Sequence, residues 1–246
     1  MPLEMSVSQI ELALSPALYD MRTLKGPHTV VAVDILRATT SICAAFQSGA
    51  TEVVPLASLD ELEPYRALGY LRAAERGGRK VGDAECGNSP TEYLTMNLHG
   101  RRIAYSTTNG TSCILRGADA EETLVGSFAN LSRLTGYLTA TPRDIVIICS
   151  GWQQDFSLED TLFAGALCHR LTTSGRYAVA QDAAVAAMEL WTLCHDDPYA
   201  YCATRASHIR RLEGFGATAD INFSFRIDTC PVLPRLFDRK VLRVID

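Results

Sequence analysis

Asp34 and Arg37 are the residues of this chain that are best placed to do chemistry, because they directly follow the short apolar run 30–33. That run is typical of a strand buried on both faces, and ligands of open α/β sheets collect beyond the carboxyl ends of such strands. A carboxylate at that place can bind a divalent cation, and a guanidinium can bind a phosphate or a carboxylate. The structural alternative is that Asp34 caps the next helix and that Arg37 pairs with it at the surface.

Two glycine-containing segments place polar groups at similar points of the chain. Segment 107–111, Thr-Thr-Asn-Gly-Thr, follows an apolar run, and hydroxyls and amides at the start of a helix can bind a phosphate. The alternative is a tight turn with a threonine N-cap. Segment 87–92, Gly-Asn-Ser-Pro-Thr-Glu, is either a capped helix with proline in its first turn or an anion-binding loop.

Charged residues in two further segments have both structural and chemical interpretations. Ser157 with Asp160 three residues later is typical of a capping box, and acidic residues suit the first turn of a helix. Glu159 and Asp160 are alternatively metal ligands at the carboxyl end of a strand. The basic segment 75–80, which contains Arg76, either contacts an anion or is simply solvated.

The composition is ordinary for a soluble globular protein, with 47% hydrophobic and 21% charged residues in 246. The net charge of −5 argues against a general nucleic-acid binder. Residues 1–6 do not resemble a secretory signal, and no apolar run is long enough to span a bilayer, so we expect a cytoplasmic protein without a membrane partner. The eight cysteines form no Cys-x-x-Cys pair, so we expect them to be reduced and not to bind zinc.

The spacing of reactive residues excludes two classes of phosphatase. A cysteine phosphatase loop needs arginine six positions after the cysteine, and none of the eight cysteines has one. A haloacid-dehalogenase-type phosphatase needs Asp-x-Asp after its first strand, and the chain contains no such pair.

Apolar runs alternate with helix-like segments along most of the chain, which predicts a layered α/β/α fold with a largely parallel or mixed sheet. We expect one unit over 1–246, made of two α/β lobes without a definable boundary and with the site in the cleft between them. Predicted strands cover 7–14, 30–34, 52–56, 101–105, 123–125, 144–149, 220–225 and 240–244. Predicted helices cover 39–46, 59–68 (interrupted by Pro64), 182–194 and 199–212.

Taken together and in order, several segments resemble the 2-phosphosulfolactate phosphatase family of coenzyme M biosynthesis. The similar segments are 31–40, 75–78, 87–90, 107–111, 126–130 and 156–160, with a tail from Ser207-His208 through Asp220-Ile221 to 231–234. The resemblance covers about residues 5 to 245. It implies two lobes around a cleft and a magnesium-dependent phosphatase that converts 2-phosphosulfolactate to sulfolactate. The sequence departs from the family at two positions. Glu85 stands where aspartate is expected, and Ser150 stands where alanine is expected. The glutamate bears on the choice of substrate.

The leading hypothesis is therefore a Mg²⁺-dependent phosphatase acting on a small phosphomonoester with further anionic groups. Asp34 would be a metal ligand, with Glu159 or Asp160 as the second, and Arg37 would stabilise the transferring phosphoryl group. A metal-bound water is the simplest nucleophile, and a covalent intermediate on Asp34 is the open alternative. The expected substrate-binding residues, among which Arg76 would reach a remote anion, are Thr39, Arg76, Asn88, Ser89, Thr108, Asn109, Gly110 and Thr111.

Two other functions fit the same residues. The chain would be a non-catalytic sensor if the cleft bound a phosphorylated metabolite without turnover, or an isomerase if Asp34 acted as a base. Homo-oligomerisation is left open by the sequence.

Overall fold

The computed structural model describes residues 7–22, 26–153, 155–179 and 181–246. Its strands are β1 (Ser8–Ala13), β2 (Thr29–Val33), β3 (Glu52–Pro55), β4 (Leu71–Arg76), β5 (Arg79–Lys80), β6 (Arg102–Ser106), β7 (Glu122–Gly126), β8 (Ile145–Cys149), β9 (Tyr177–Val179), β10 (Pro234–Phe237) and β11 (Val241–Val244). Its α-helices are α1 (Pro16–Asp20), α2 (Ala38–Gln47), α3 (Glu63–Ala67), α4 (Pro90–Thr95), α5 (Gly110–Arg116), α6 (Leu131–Ala140), α7 (Leu158–Thr173), α8 (Asp182–Cys194), α9 (Pro198–Arg205), α10 (Ser207–Glu213) and α11 (Thr218–Ser224).

The strands form one mixed sheet in the order β5-β4-β6-β3-β11-β10-β7-β2-β8-β1-β9. Two groups within it are parallel, one made of β4, β6 and β3 and the other of β7, β2, β8, β1 and β9. The carboxyl-terminal hairpin β10–β11 joins the groups, with Arg235 opposite Leu124 and Leu242 opposite Val53. The predicted mixed α/β architecture is confirmed.

The hairpin also decides how the two parallel groups are oriented. Three successive antiparallel pairings, β3 with β11, β11 with β10 and β10 with β7, make the groups run in opposite directions. Residues that follow β2 and β8 in one group, and β4 and β6 in the other, nevertheless line one cleft. The cleft therefore lies where the carboxyl ends of the two groups meet.

Helices cover both faces of the sheet, which explains the uninterrupted apolar character of its central strands. In β2, Val31 and Val33 pack in the core shared with α6, α7 and α8, whereas Val30 and Ala32 pack in the core shared with α2, α4 and α5. All five residues of β2 are buried. The strand that leads to Asp34 is thus held from both sides, which gives the cleft a rigid floor.

Most predicted elements are confirmed, and three predictions need correction. The helix predicted over 59–68 is shorter, because α3 begins at Glu63 and takes Pro64 into its first turn, where the missing amide hydrogen costs nothing. The helix predicted over 199–212 is two helices, α9 and α10, separated by the extended backbone of Ala206.

The predicted strand 220–225 is wrong, since residues 218–224 form α11. The apolar residues Ile221, Phe223 and Phe225 alternate as in a strand, but Asp220 and Ser224 are buried as well. The Ser224 hydroxyl donates to the Asp220 carbonyl oxygen, and the Asp220 carboxylate pairs with Arg37. Buried apolar side chains and the buried Asp220–Arg37 pair together hold this helix in place.

Two further sequence expectations concern cysteines and membranes. All eight cysteines are buried free thiols in the structure. None of the helices within the described ranges is both long enough and apolar enough to cross a membrane.

The contact between α7 and α8 yields a stability prediction. A Cβ added at Gly165 would lie 2.0 Å from the Ala187 carbonyl oxygen, so the helices must separate in Gly165→Ala. We expect this variant to lose about 1–3 kcal/mol or more of unfolding free energy in urea denaturation. Gly136→Ala is the matched control, since a Cβ in this α6 position meets nothing within 4 Å and should gain up to about 1 kcal/mol. Equal stabilities of the two variants would contradict this account of the packing.

Candidate active site

A small cleft lies at the carboxyl ends of the two parallel groups and collects the charged residues of several elements. Its lining comes from the segment after β2, the end of β4 and the turn after it, the starts of α4 and α5, the segment after β8, and α10. The lining residues are Asp34, Leu36, Arg37, Glu75, Gly78, Asn88, Asn109, Trp152, His208, Arg211 and Leu212.

Asp34 lies at the floor of the cleft and is held by the start of α2. Its Oδ1 accepts a hydrogen bond from the Ala38 amide at 3.2 Å, and its own amide donates to Thr39 Oγ1 at 3.0 Å. Asp34 therefore contacts the start of α2 while also lining the cleft, but it is not the N-cap that the structural alternative predicted, because Arg37 occupies that position. Burial raises the pKa of Asp34 to about 6, and the nearby Glu75 charge contributes in the same direction.

Arg37 also lines the cleft, but its partner is Asp220 rather than Asp34, and the pair is buried rather than at the surface. Nη1 donates to Asp220 Oδ2 at 2.7 Å, and Nη2 donates to the Gly78 carbonyl oxygen at 2.7 Å. Asp220 Oδ1 accepts hydrogen bonds from the hydroxyls of Ser89 and Thr91. The guanidinium is thus fixed in orientation by two distant segments, and a third segment holds Asp220.

The predicted pair Glu159 and Asp160 begins α7, and its two carboxylates do different things. Ser157 caps this helix as predicted, with Oγ accepting from the Asp160 amide at 3.3 Å. Asp160 accepts from the amides of Ile35 and Gly151 and from the Ser150 hydroxyl, which ties the ends of β2 and β8 together.

Glu159 Oε1 is 2.8 Å from His208 Nδ1, and Glu159 borders a neighbouring hollow that shares His208 and Trp152 with the cleft. Its Oε2 is buried and has no hydrogen-bond partner among the residues that the structure describes. A buried carboxylate oxygen without a donor is costly unless a ligand or a cation satisfies it.

The donor chemistry of this region fits a divalent cation. Burial raises the pKa of Asp160 well above its ordinary value, and the charges of Asp34 and Glu159 raise it further. A cation would relieve both the repulsion among the three carboxylates and the unsatisfied Glu159 Oε2. Within the described ranges no group of three or more His, Cys, Asp and Glu side chains forms a complete metal cage. Mg²⁺ usually needs only one or two carboxylates, with water and a substrate phosphate completing its coordination.

Glu75 is a cleft residue to which the sequence analysis gave no role, although it belongs to segment 75–78, which resembles the family. It is buried, and its carboxylate accepts from the amide and hydroxyl of Thr108 and from the Gly78 amide. Thr108 is therefore turned towards Glu75. This contact fastens the turn after β4 to the segment after β6, which places Asn109 at the cleft.

The segment 107–111 begins α5 with internal hydrogen bonds. The Thr111 amide donates to Thr107 Oγ1 at 3.2 Å, but the N-cap residue is Asn109 rather than the predicted threonine. A Cβ at Gly110 would lie 2.6 Å from Asp34 Oδ2, so glycine is required here by the close approach of the helix to the carboxylate. On the far wall, Asn88 lines the cleft and its Oδ1 accepts from the buried Tyr105 hydroxyl at 2.5 Å.

Several predicted substrate-binding residues contact neighbouring protein groups rather than line the cleft. Thr39 holds the Asp34 backbone, Ser89 donates to Asp220, and Thr111 bonds back to Thr107. Arg76 donates to the carbonyl and hydroxyl oxygens of Ser106 and to the Glu75 carbonyl. Their roles in substrate binding stay predictions.

Glu85, the departure that put the substrate in question, pairs with Arg72. The Glu85 carboxylate contacts the amide and the guanidinium of Arg72. Glu85 does not line the cleft. The extra methylene of glutamate is accommodated at this half-exposed position on the β4 side of the molecule.

The sequence analysis missed three neighbouring cleft residues, Trp152, His208 and Arg211. The indole of Trp152 lies against the His208 ring, with centroids 5.3 Å apart, and Arg211 Cζ is 3.3 Å from the Trp152 ring centroid. His208 and Arg211 are three residues apart on α10 and therefore share a face of the helix. That spacing was visible in the sequence, but nothing in it indicated that α10 reaches the cleft.

The family model described as 2-phosphosulpholactate phosphatase matches residues 14–239. A probable 2-phosphosulfolactate phosphatase of Gloeobacter violaceus is 39% identical over 215 residues, which cover 85% of this chain and 88% of the relative. Proteins with the same name from Synechococcus sp. (strain WH7803) and Caldanaerobacter subterraneus subsp. tengcongensis are 36% and 33% identical, covering 91% and 87% of this chain and 92% and 90% of theirs.

The buried pair Arg37–Asp220 yields a second stability prediction. Asp220→Ala leaves the Arg37 guanidinium buried without its counter-charge, and we expect a loss of about 3–5 kcal/mol in urea denaturation. Asp119→Ala is the control, because the Asp119–Arg239 pair is largely exposed and should change stability by about 1 kcal/mol or less. A loss in Asp220→Ala as small as that of the control would show that the ion pair does not hold the cleft together.

Proposed function

This chain belongs to the 2-phosphosulfolactate phosphatase family, and on that premise we propose that it is a Mg²⁺-dependent phosphatase. Its substrate is 2-phosphosulfolactate or a closely related multiply anionic phosphomonoester, which it hydrolyses to sulfolactate and inorganic phosphate. The observation that carries the proposal is the convergence of Asp34, Arg37 and Arg211 on one small cleft bordered by further carboxylates. The proposal includes the setting that the resemblance implies, coenzyme M biosynthesis in the cytoplasm.

Asp34 and Glu159 are the residues that would hold Mg²⁺. Asp160 is less suited, because its oxygens already accept from Ile35, Ser150 and Gly151, whereas Glu159 Oε2 accepts from none of the described residues. When bound, the ion would neutralise charge on the phosphate oxygens and orient the phosphoryl group.

Arg37 would stabilise the transferring phosphoryl group. In phosphoryl transfer the protein contributes mainly by positioning donors towards the charge of the transition state. Asp220 and the Gly78 carbonyl fix the guanidinium before the substrate arrives, so little reorganisation is needed. Asn109 is the member of segment 107–111 that lines the same cleft.

His208 is a cleft residue whose ring orientation is set by the protein. Glu159 holds its Nδ1, and Trp152 supports one face of the ring. Nε2 makes no hydrogen bond to any residue in the described part of the chain, so it is the nitrogen free to contact the substrate. We assign His208 to a substrate contact at this atom.

The metal proposal predicts a specific pattern of loss and rescue. Excess EDTA should abolish phosphate release from 2-phosphosulfolactate, and added Mg²⁺ should restore it, without a requirement for Zn²⁺. Mg²⁺ should also raise the Tm of the wild type, because it binds only the folded state. Asp34→Asn should lose both effects, whereas Asp119→Asn, at an exposed carboxylate, should keep them.

Full activity in excess chelator would overturn the metal proposal. Saturable binding of 2-phosphosulfolactate without any phosphate release, with and without Mg²⁺, would instead favour a sensor.

The assignment of Arg37 predicts that charge alone is insufficient at this position. Arg37→Lys retains a cation opposite Asp220 but loses the planar fork that can contact Asp220, Gly78 and a substrate together. We expect kcat to fall on the order of 10²-fold, with a smaller change in KM. The Tm should show that the variant is folded. An unchanged kcat would remove Arg37 from the catalytic residues.

A further inference from the structure

Arg211 is the arginine of the cleft whose hydrogen-bonding capacity is unused. Its Nε and Nη2 are buried, and neither has a hydrogen-bond partner among the residues that the structure describes. Its guanidinium lies over the Trp152 indole, with Cζ 3.3 Å from the ring centroid. Burial lowers the pKa of Arg211 from its ordinary value, although a guanidinium stays charged under physiological conditions.

The other arginines close to the site are already engaged. Arg37 donates to Asp220 and Gly78, and Arg76 donates to Ser106 and to the Glu75 carbonyl. Stacking on an indole satisfies the face of a guanidinium but not the N–H groups in its plane. An oxyanion in the plane of the Arg211 guanidinium would accept hydrogen bonds from these N–H groups. The unsatisfied N–H groups therefore indicate a ligand rather than a protein contact.

The charges around the cleft also require such a cation. Asp34, Glu75, Glu159 and Asp160 are all buried at or beside it, while the charge of Arg37 is balanced by Asp220. Mg²⁺ on the carboxylates would compensate for one anionic group of a substrate. A substrate with a second anionic group would still be repelled unless another cation faced it.

We propose that Arg211, supported by Trp152, binds an oxyanion of the substrate other than the transferred phosphoryl group, a sulfonate or a carboxylate, and so selects multiply anionic phosphomonoesters. This inference rests on the proposed phosphatase function and extends it to specificity. Arg211 takes the role of remote anion contact for which Arg76 was the candidate from sequence.

Kinetics with three substrates tests the assignment. The substrates are 2-phosphosulfolactate, 2-phospholactate, which lacks the sulfonate, and p-nitrophenyl phosphate, which lacks both extra anions. Arg211→Ala should raise KM for 2-phosphosulfolactate about 10- to 100-fold, as expected for lost hydrogen bonds to a charged group, and spare p-nitrophenyl phosphate. If KM rises for 2-phosphosulfolactate alone, the group that Arg211 binds is the sulfonate. If KM rises for 2-phospholactate as well, the group is the carboxylate.

Arg210→Ala is the matched control, because Arg210 is the preceding, exposed residue of α10 and its Nη1 contacts only the Thr204 carbonyl at 3.5 Å. It should leave all three substrates unchanged. Arg211→Lys should recover part of the lost affinity, since it restores charge without the fork. Equal losses on all three substrates in Arg211→Ala, or no loss on any, would overturn the inference.

A binding measurement separates failure of this inference from failure of the proposed function. Trp152 and Trp191 are the two tryptophans of the chain, so sulfolactate bound at Arg211 should change the intrinsic fluorescence, and Trp152→Phe should remove the change. If the wild type releases no phosphate but binds sulfolactate, with affinity lost in Arg211→Ala only, the function fails and the anion site stands. If the wild type is active and sulfolactate affinity is equal in Arg211→Ala and Arg210→Ala, the anion site fails and the function stands.

Discussion

The Asp220 carboxylate is the contact on which the geometry of the cleft depends. One of its oxygens pairs with Arg37 from the segment after β2, and the other accepts from Ser89 and Thr91 at the start of α4. A buried ion pair is stable only when its remaining donors and acceptors are satisfied, and here the hydroxyls provide that. Because its partners lie more than a hundred residues away along the chain, this one side chain determines how α2, α4 and α11 meet.

The cleft combines features that stabilise it with polar groups that no described residue satisfies. Asp160, Glu75 and Asn88 accept hydrogen bonds from neighbouring segments and hold the walls. Glu159 Oε2 and two nitrogens of Arg211 are buried without partners in the described part of the protein. The Glu159 oxygen is negative and the Arg211 guanidinium is positive, so the first can bind a cation and the second can bind an anion. A phosphatase of multiply charged substrates needs both.

Local patterns were sufficient for most of the architecture. The apolar runs that became β2, β6, β7 and β8 were recognisable because strands buried on both faces are continuously apolar. The caps at Ser89 and Ser157 were recognisable because a hydroxyl and the third following amide form a contact within four residues. The strand predicted over 220–225 failed because the buried Asp220 pairs with Arg37, and no local pattern contains that partner.

The sequence by itself determined the α/β class, the family and the placement of Asp34 and Arg37 at the end of a buried strand, since each of these depends on residues close together in the chain. Only the tertiary structure decided that Arg37 pairs with Asp220, that Arg76 turns to Ser106, and that α10 brings His208 and Arg211 to the cleft. These contacts join segments that lie far apart in the chain. For each partner the chain contains several side chains of the same type that could have formed the contact. The arrangement of the two parallel groups on either side of the β10–β11 hairpin determines which side chains meet. That arrangement exists only in the folded molecule.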